Sequence, residues 1–195
     1  MVRGKPLSFN RDEVLAKAME LFWQKGFQHT SISELLEHMG IQRQSFYNTF
    51  GSKEKIFFDA VALYTRTMTQ KVTVVMEQPG NPLNNVRQVL AMMKEMVEGA
   101  DACGCLLGNS IAEFGLNHPE ISALLKEKIG FLTKAFQGAF AKAIEQGLLP
   151  ESKDPAAMAQ SLVVMAQGMA LLSKIGFADE MMSGVMKTAE EMITA

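Results

Sequence analysis

Residues 11–57 read RDEVLAKAMELFWQKGFQHTSISELLEHMGIQRQSFYNTFGSKEKIF, and this stretch decides the fold. Two short helical patterns flank Met39-Gly40-Ile41, and the second carries Arg43, Gln44, Ser45, Tyr47, Asn48 and Thr49. Glycine enters left-handed backbone at little steric cost, which a tight helix-turn-helix needs at Gly40. A helix that enters a DNA major groove uses such side chains: forked donors for base edges, hydroxyls and a tyrosine for phosphates.

The elements around the turn carry their own punctuation. Asn10 with Glu13 has the spacing of an N-cap and a reciprocating acid, and Ser31 with Glu34 repeats it. Val14, Leu15, Ala18, Leu21 and Phe22 describe an amphipathic helix that stops at Gly26. The second helix runs from the Ser31 cap to His38, the third from Gln42 to Phe50, and Ser52 opens a fourth. Met39, Ile41, Phe46 and Phe50 are the expected core of this three-helix head.

The same stretch resembles the DNA-binding head of the tetracycline-repressor (TetR) family of bacterial transcription regulators. The matching residues run in order: Val14-Leu15, Ala18, Leu21-Phe22, Gly26-Phe27, Thr30-Ser31, Ile32, Leu35, Gly40-Ile41, Tyr47, Phe50 and Ser52-Lys53-Glu54. The resemblance implies an all-α dimer with an operator-binding N-terminal domain and a larger C-terminal domain for ligand binding and dimerisation. The expected boundary divides residues 1–55 from residues 56–195. Arg43, Gln44 and Ser45 fall where members of the family reach base edges. Tyr47, Asn48, Thr49, Lys53 and Thr30 are assigned to the backbone phosphates. Family members often have Ser and Gly where this chain has Gln42 and Gln44, so base preference does not carry over.

Charge is distributed in keeping with this division. Residues 1–55 hold 8 Lys/Arg against 6 Asp/Glu, a net of +2, and the rest of the chain holds 11 against 15, a net of −4. Arg3 and Lys5 form a short basic arm ahead of the first helix. No stretch of about 18 uncharged apolar residues is expected to span a membrane. The first residues lack the apolar core of a signal peptide, so a cytoplasmic protein is expected.

The body reads as further helices. The fourth runs from Lys53 to Met76, roughly 36 Å at 1.5 Å per residue, and is broken by Gln78-Pro79-Gly80-Asn81-Pro82. Helices are expected from Leu83 to Gly99, Cys105 to Phe114, Pro119 to Gln146, after Asp154-Pro155 to Ile175, and Asp179 to Ile193. Nine helices and no strand make the expected class all-α.

Three features of the body could carry function. Cys103-Gly104-Cys105 just before a helix has three readings: buried packing, redox or electrophile sensing, and soft-metal binding. Two thiolates are too few for a closed structural zinc site, and a disulfide this short would be strained. Packing is the favoured reading, with no metal and no cofactor. Of 15 methionines, 12 follow residue 60, and flexible thioethers suit an adaptable apolar pocket. Met92, Met96, Phe114, Phe131, Met165 and Met169 are the candidate lining. The small-residue stretch 156–172 supports close helix packing, and with the resemblance it puts Ser161, Met165, Gly168, Leu172 and Val185 at a dimer seam. An internal helix pair is the alternative. Trp23 is read as packing.

Enzyme chemistry finds little purchase. The three histidines, His29, His38 and His118, lack metal spacing, and no Ser-His-Asp set, phosphate loop or carboxylate pair stands out. The expected function is a homodimeric regulator, in the repressor sense, that binds a palindromic operator and is released by a small hydrophobic inducer. The rivals are a redox- or electrophile-sensing repressor acting through Cys103 and Cys105, and a protein-interaction adapter with a vestigial head.

Overall fold

The computed structural model describes residues 9–98, 103–114, 118–175 and 178–194. The basic arm of Arg3 and Lys5 lies outside these residues, as do residues 99–102 and 115–117 between expected helices. Among the described residues there are nine α-helices, one short 3-10 turn and no strand.

The head contains α1 (Arg11–Lys25), α2 (Ile32–Met39) and α3 (Arg43–Phe50). Asn10 caps α1 by accepting from the Asp12 N–H, and Ser31 and Glu34 form both bonds of a capping box at α2. Gly40 ends α2 at φ +69°, the left-handed conformation that the turn requires. The long α4 (Lys53–Met76) starts at the Ser52 cap, spans the sequence boundary without a break, and carries the chain into the body.

The body adds α5 (Pro82–Glu95), α6 (Leu106–Phe114), α7 (Pro119–Glu145), α8 (Pro155–Leu172) and α9 (Ala178–Met192). Helix α5 is shorter than expected from its pattern, ending at Glu95 rather than reaching Gly99. Its start lies one residue earlier, because Asn81 caps the Leu83 N–H and Pro82 takes the first helical position. Helix α8 stops at Leu172 and tightens into a 3-10 turn over Ser173–Ile175, where the Ser173 hydroxyl donates to the Ala170 carbonyl.

Helix α8 also corrects the reading of apolar stretches. Pro155–Ile175 contains an 18-residue window of mean hydropathy 1.4 and is long enough to cross a membrane by length and composition. The chain carries no charge between Pro155 and Ser173, and the scattered Gln and Ser residues hid this from the pattern. The helix packs chiefly along α7, with further contacts to α9 and α6.

Two buried clusters hold the molecule. One unites the head with Val61 and Tyr64 of α4, Leu107 and Phe114 of α6, and Ala170 of α8. The other joins the far end of α4 with α5, α7, α8 and α9 around Phe136 and Phe140. Packing therefore runs without interruption from head into body.

Candidate nucleic-acid interface and ligand cavity

Helix α3 presents its polar residues outward. Arg43, Gln44, Tyr47 and Asn48 are exposed, and Ser45 is half-buried, while Phe46 and Phe50 on the opposite face are fully buried. Gln44 Nε2 donates to Asn48 Oδ1 at 3.1 Å, so the two amides one turn apart support each other. Gln42 makes no side-chain cap, which leaves the first amides of α3 open to an external acceptor.

The assigned phosphate contacts divide more sharply. Thr30 is fully buried and its hydroxyl donates to the Gly26 carbonyl at 2.6 Å. It closes the turn between α1 and α2 and offers no hydroxyl to solvent, which corrects its assignment. The Thr49 hydroxyl is likewise buried, without a hydrogen-bond partner. Lys53 is half-buried, with Nζ 4.2 Å from the centre of the Phe27 ring. Burial lowers its pKa, and the Glu113 carboxylate opposes that shift. Lys55, in the same helical turn, is fully exposed and was missed by sequence reading.

Among the described residues, two hydrogen bonds join the end of α1 and the turn after it to the body around α6. The Trp23 indole Nε1 donates to the Gly104 carbonyl at 2.9 Å, and the Phe27 N–H donates to Glu113 Oε2 at 2.8 Å. Around them Phe57 meets Phe22 at 5.1 Å, Phe27 at 5.1 Å and Phe114 at 5.2 Å between ring centres. Phe114 thus belongs to the junction and not to a pocket. Gly104 sits at φ +64°, and a Cβ there would run into the Ala170 carbonyl oxygen. The residue is pinned between the head and α8, and only glycine fits.

Gly104 and Cys105 are also wall residues of a cavity of about 60 Å³ enclosed by α4, α5, α7 and α8. Room for a few water-sized groups is available at that volume. Met92, Met96 and Phe131 line it as the sequence suggested, together with Met68 and Met93. Met165 and Met169 do not. They line a second cleft of about 130 Å³ between α8 and α9, with Gly168, Leu172 and Val185. Helical spacing places residues on one face but does not say which neighbour that face meets.

The cavity's polar residues were not foreseen. Lys128 of α7 is only 7% exposed, and its Nζ lies 4.7 Å from the centre of the Tyr64 ring. Burial pushes its ammonium below the usual lysine range, opposed by the Cys105 sulfur when that carries charge. Burial also pushes the Tyr64 phenol well above its usual range, with the Cys105 thiol as a further cause. The Tyr64 hydroxyl has no hydrogen bond of good geometry. A signal for Lys128 did exist, since it falls on the buried stripe Ile121, Lys128, Leu132, Phe136 of α7, where a charge is out of place. Cys105 is buried on the cavity wall and Cys103 is half-buried beside it. No group of three or more His, Cys, Asp or Glu suited to a metal occurs among the described residues.

One surface of α8 is unusually apolar. Val164 is 71% exposed, Leu171 55% and Ile175 72%, and Gly168 lies open between them. Their spacing of four, seven and eleven residues from Val164 makes a single helical stripe. Ser161, Met165, Leu172 and Val185 flank it and are half-buried.

An exposed polar helix after a tight turn, a head bonded to a helical body and a cavity in that body define a class of protein. The family model described as "Bacterial regulatory proteins, tetR family" matches residues 14–60. The model described as "Tetracyclin repressor-like, C-terminal domain" matches residues 82–189, more than half of the chain. The chain belongs to the tetR family of DNA-binding transcription regulators. It is 29% identical over 174 residues to an uncharacterized HTH-type transcriptional regulator of Bacillus subtilis (strain 168), YezE, covering 88% of this chain and 90% of that protein. It is 26% identical over 176 residues to the HTH-type transcriptional repressor ComR of Escherichia coli (strain K12), covering 89% and 84%. Its fold matches that of a cysteine mutant of the TetR family regulator CifR, solved in complex with 26-base-pair double-strand operator DNA. That match has a TM-score of 0.76 and 24% identity over 97% of this chain and 98% of the other.

Proposed function

We propose that this chain is a ligand-responsive repressor that acts in the cytoplasm as a homodimer on a palindromic operator. Arg43 and Gln44 read base edges, with Ser45 beside them, and Tyr47, Asn48, Lys53 and Lys55 hold the flanking phosphates. Two heads meet half-sites about 34–36 Å apart, or a multiple of that spacing. The repressor named among its relatives supports the direction of control.

The observation that carries the reading is the hydrogen bond from Trp23 to Gly104, because Gly104 is at once a cavity wall and the head's anchor. A small hydrophobic inducer that displaces this wall changes how the head is held. Release of DNA then follows from the ligand's greater affinity for the displaced arrangement, not from tight binding alone. The stripe of Val164, Gly168, Leu171 and Ile175 supports dimerisation through α8, with Met181 of α9 adjoining it, since exposed apolar patches of this kind mark association surfaces. Ser161, Met165, Leu172 and Val185 border that seam.

Electrophoretic mobility shift on the DNA upstream of the protein's own gene tests the reading. Specific retardation is expected, at a stoichiometry of two chains per site. Leu171→Arg is expected to give monomers by light scattering and to abolish retardation. A wild type that is monomeric, or that binds all DNA alike, sinks the proposal.

A further inference from the structure

The cavity holds a buried lysine beside which no carboxylate of the described residues lies. Lys128 is 93% removed from solvent by its 7% exposure, and among the described residues no carboxylate pairs with it. Lysine is almost never buried this far unless paired, because an unpaired charge loses its hydration without recompense. Its contact with the Tyr64 ring face at 4.7 Å offsets part of that cost and fixes where the ammonium sits. The Tyr64 hydroxyl is buried too, near the Cys105 thiol and the Leu106 backbone but with good hydrogen-bond geometry to neither. Both residues line the same cavity, whose other walls include Met68, Met92, Met96 and Phe131.

We propose that the cavity binds a small amphipathic anion, a carboxylate on a short aliphatic or aromatic body, with Lys128 as its counter-ion and Tyr64 as its hydrogen-bond donor. This inference rests on the ligand-responsive reading and specifies the ligand's class. The carboxylate supplies a charge opposite Lys128 and a stronger acceptor for the Tyr64 hydroxyl, in an apolar-walled site where both contacts gain over bulk water. The apolar body meets thioethers, which repack around varied shapes. The small cavity volume, about 60 Å³, selects for a short body. Coupling to the head is direct, because the Gly104 wall carbonyl accepts from Trp23, the one tryptophan of the chain.

That tryptophan makes the test simple. The full-length protein is titrated with hexanoate and benzoate, and in parallel with hexanamide and benzamide, at constant ionic strength. Trp23 fluorescence is read without DNA, and operator retention is read with DNA against a sodium chloride control. The carboxylates are expected to shift the fluorescence and release operator, with the amides at least tenfold weaker. Lys128→Met keeps the volume and removes the charge, and is expected to fold, bind operator and lose the carboxylate response. Tyr64→Phe is expected to weaken the response roughly 3- to 10-fold, the range of one hydrogen bond. Equal response to the amides, an unchanged Lys128→Met, or silence towards both carboxylates overturns the proposal. So does operator release by N-ethylmaleimide alone that is lost in Cys105→Ser, which would make the cavity a thiol trap. If wild type binds no operator at all, the regulator reading fails, and the fluorescence titration still decides the ligand class.

Discussion

The head and the body of this protein are built on opposite terms. The head packs Phe22, Phe46 and Phe50 inward, caps α1 and α2 at Asn10 and Ser31, and turns Arg43, Gln44, Tyr47 and Asn48 out, with the buried, unpartnered Thr49 hydroxyl as its exception. The body leaves more open: among the described residues it has a buried lysine with no carboxylate beside it, a buried tyrosine hydroxyl without a hydrogen bond of good geometry, a cavity and an apolar stripe turned to solvent. A surface that reads DNA needs rigid presentation of a few side chains. A region that must respond to something else keeps groups whose partners are external. The difference teaches where to look for function: satisfied groups mark the frame, and unsatisfied groups mark the places where another molecule belongs.

The most severe way to break the contrast is at the junction. Phe57→Ala removes a ring shared by both regions and is expected to cost about 3–5 kcal/mol. Urea unfolding should show one lowered transition read alike by Trp23 fluorescence and circular dichroism. Two separate transitions would mean that the head folds independently of the body. Next in size is the recognition surface, where Arg43→Ala is expected to lose about 1–3 kcal/mol of operator affinity while leaving stability unchanged. Selection from random DNA should show relaxed preference at one position. An unchanged motif would move base reading elsewhere on α3.

A finer cut separates the link from the frame. Trp23→Phe deletes the bond to Gly104 and keeps most of the packing, at a cost of about 0.5–1.5 kcal/mol. Its signature is a weakened coupling between ligand and operator binding at nearly normal affinity for each. Coupling equal to wild type would assign transmission to the Glu113–Phe27 contact instead. The smallest effect belongs to the head's surface. Hydrogen bonding from Lys25, then from the Ser31 backbone, lowers the Glu34 pKa from 4.5 to about 2. Its folded value is depressed, so its contribution is complete above pH 4.5 and is lost as pH falls through about 2. The melting-temperature gap between wild type and Glu34→Gln should therefore be present at pH 6 and close at low pH. A gap that persists at pH 2 would put the cause elsewhere.

Much of the head was legible because its determinants are local. The caps at Asn10 and Ser31, the left-handed Gly40 and the split of α3 into Phe46/Phe50 and Arg43/Gln44/Tyr47 all follow from neighbours within a few residues. Thr30 escaped because its hydroxyl turns to the Gly26 carbonyl four residues back, and Thr49 because its hydroxyl is buried rather than turned to solvent. In the body, Met92, Met96 and Phe131 were legible as lining, whereas Phe114, Met165 and Met169 face other partners. Trp23 looked like packing and proved to be a donor to a residue far along the chain.

The sequence by itself determined the helices, their order, the turn at Gly40 and the polar face of α3. Each depends on hydrogen bonds, caps and periodicity that span a turn or two of chain. Only the tertiary structure decided that Gly104 lies between Trp23 and Ala170, that Lys128 and Tyr64 meet in one cavity, and that Val164, Leu171 and Ile175 remain uncovered. Those facts arise from which helix faces which, a choice set by the packing of several apolar stripes at once. No single stripe carries that information, because helical periodicity fixes a residue's angle around its own axis and leaves its neighbour across the interface open.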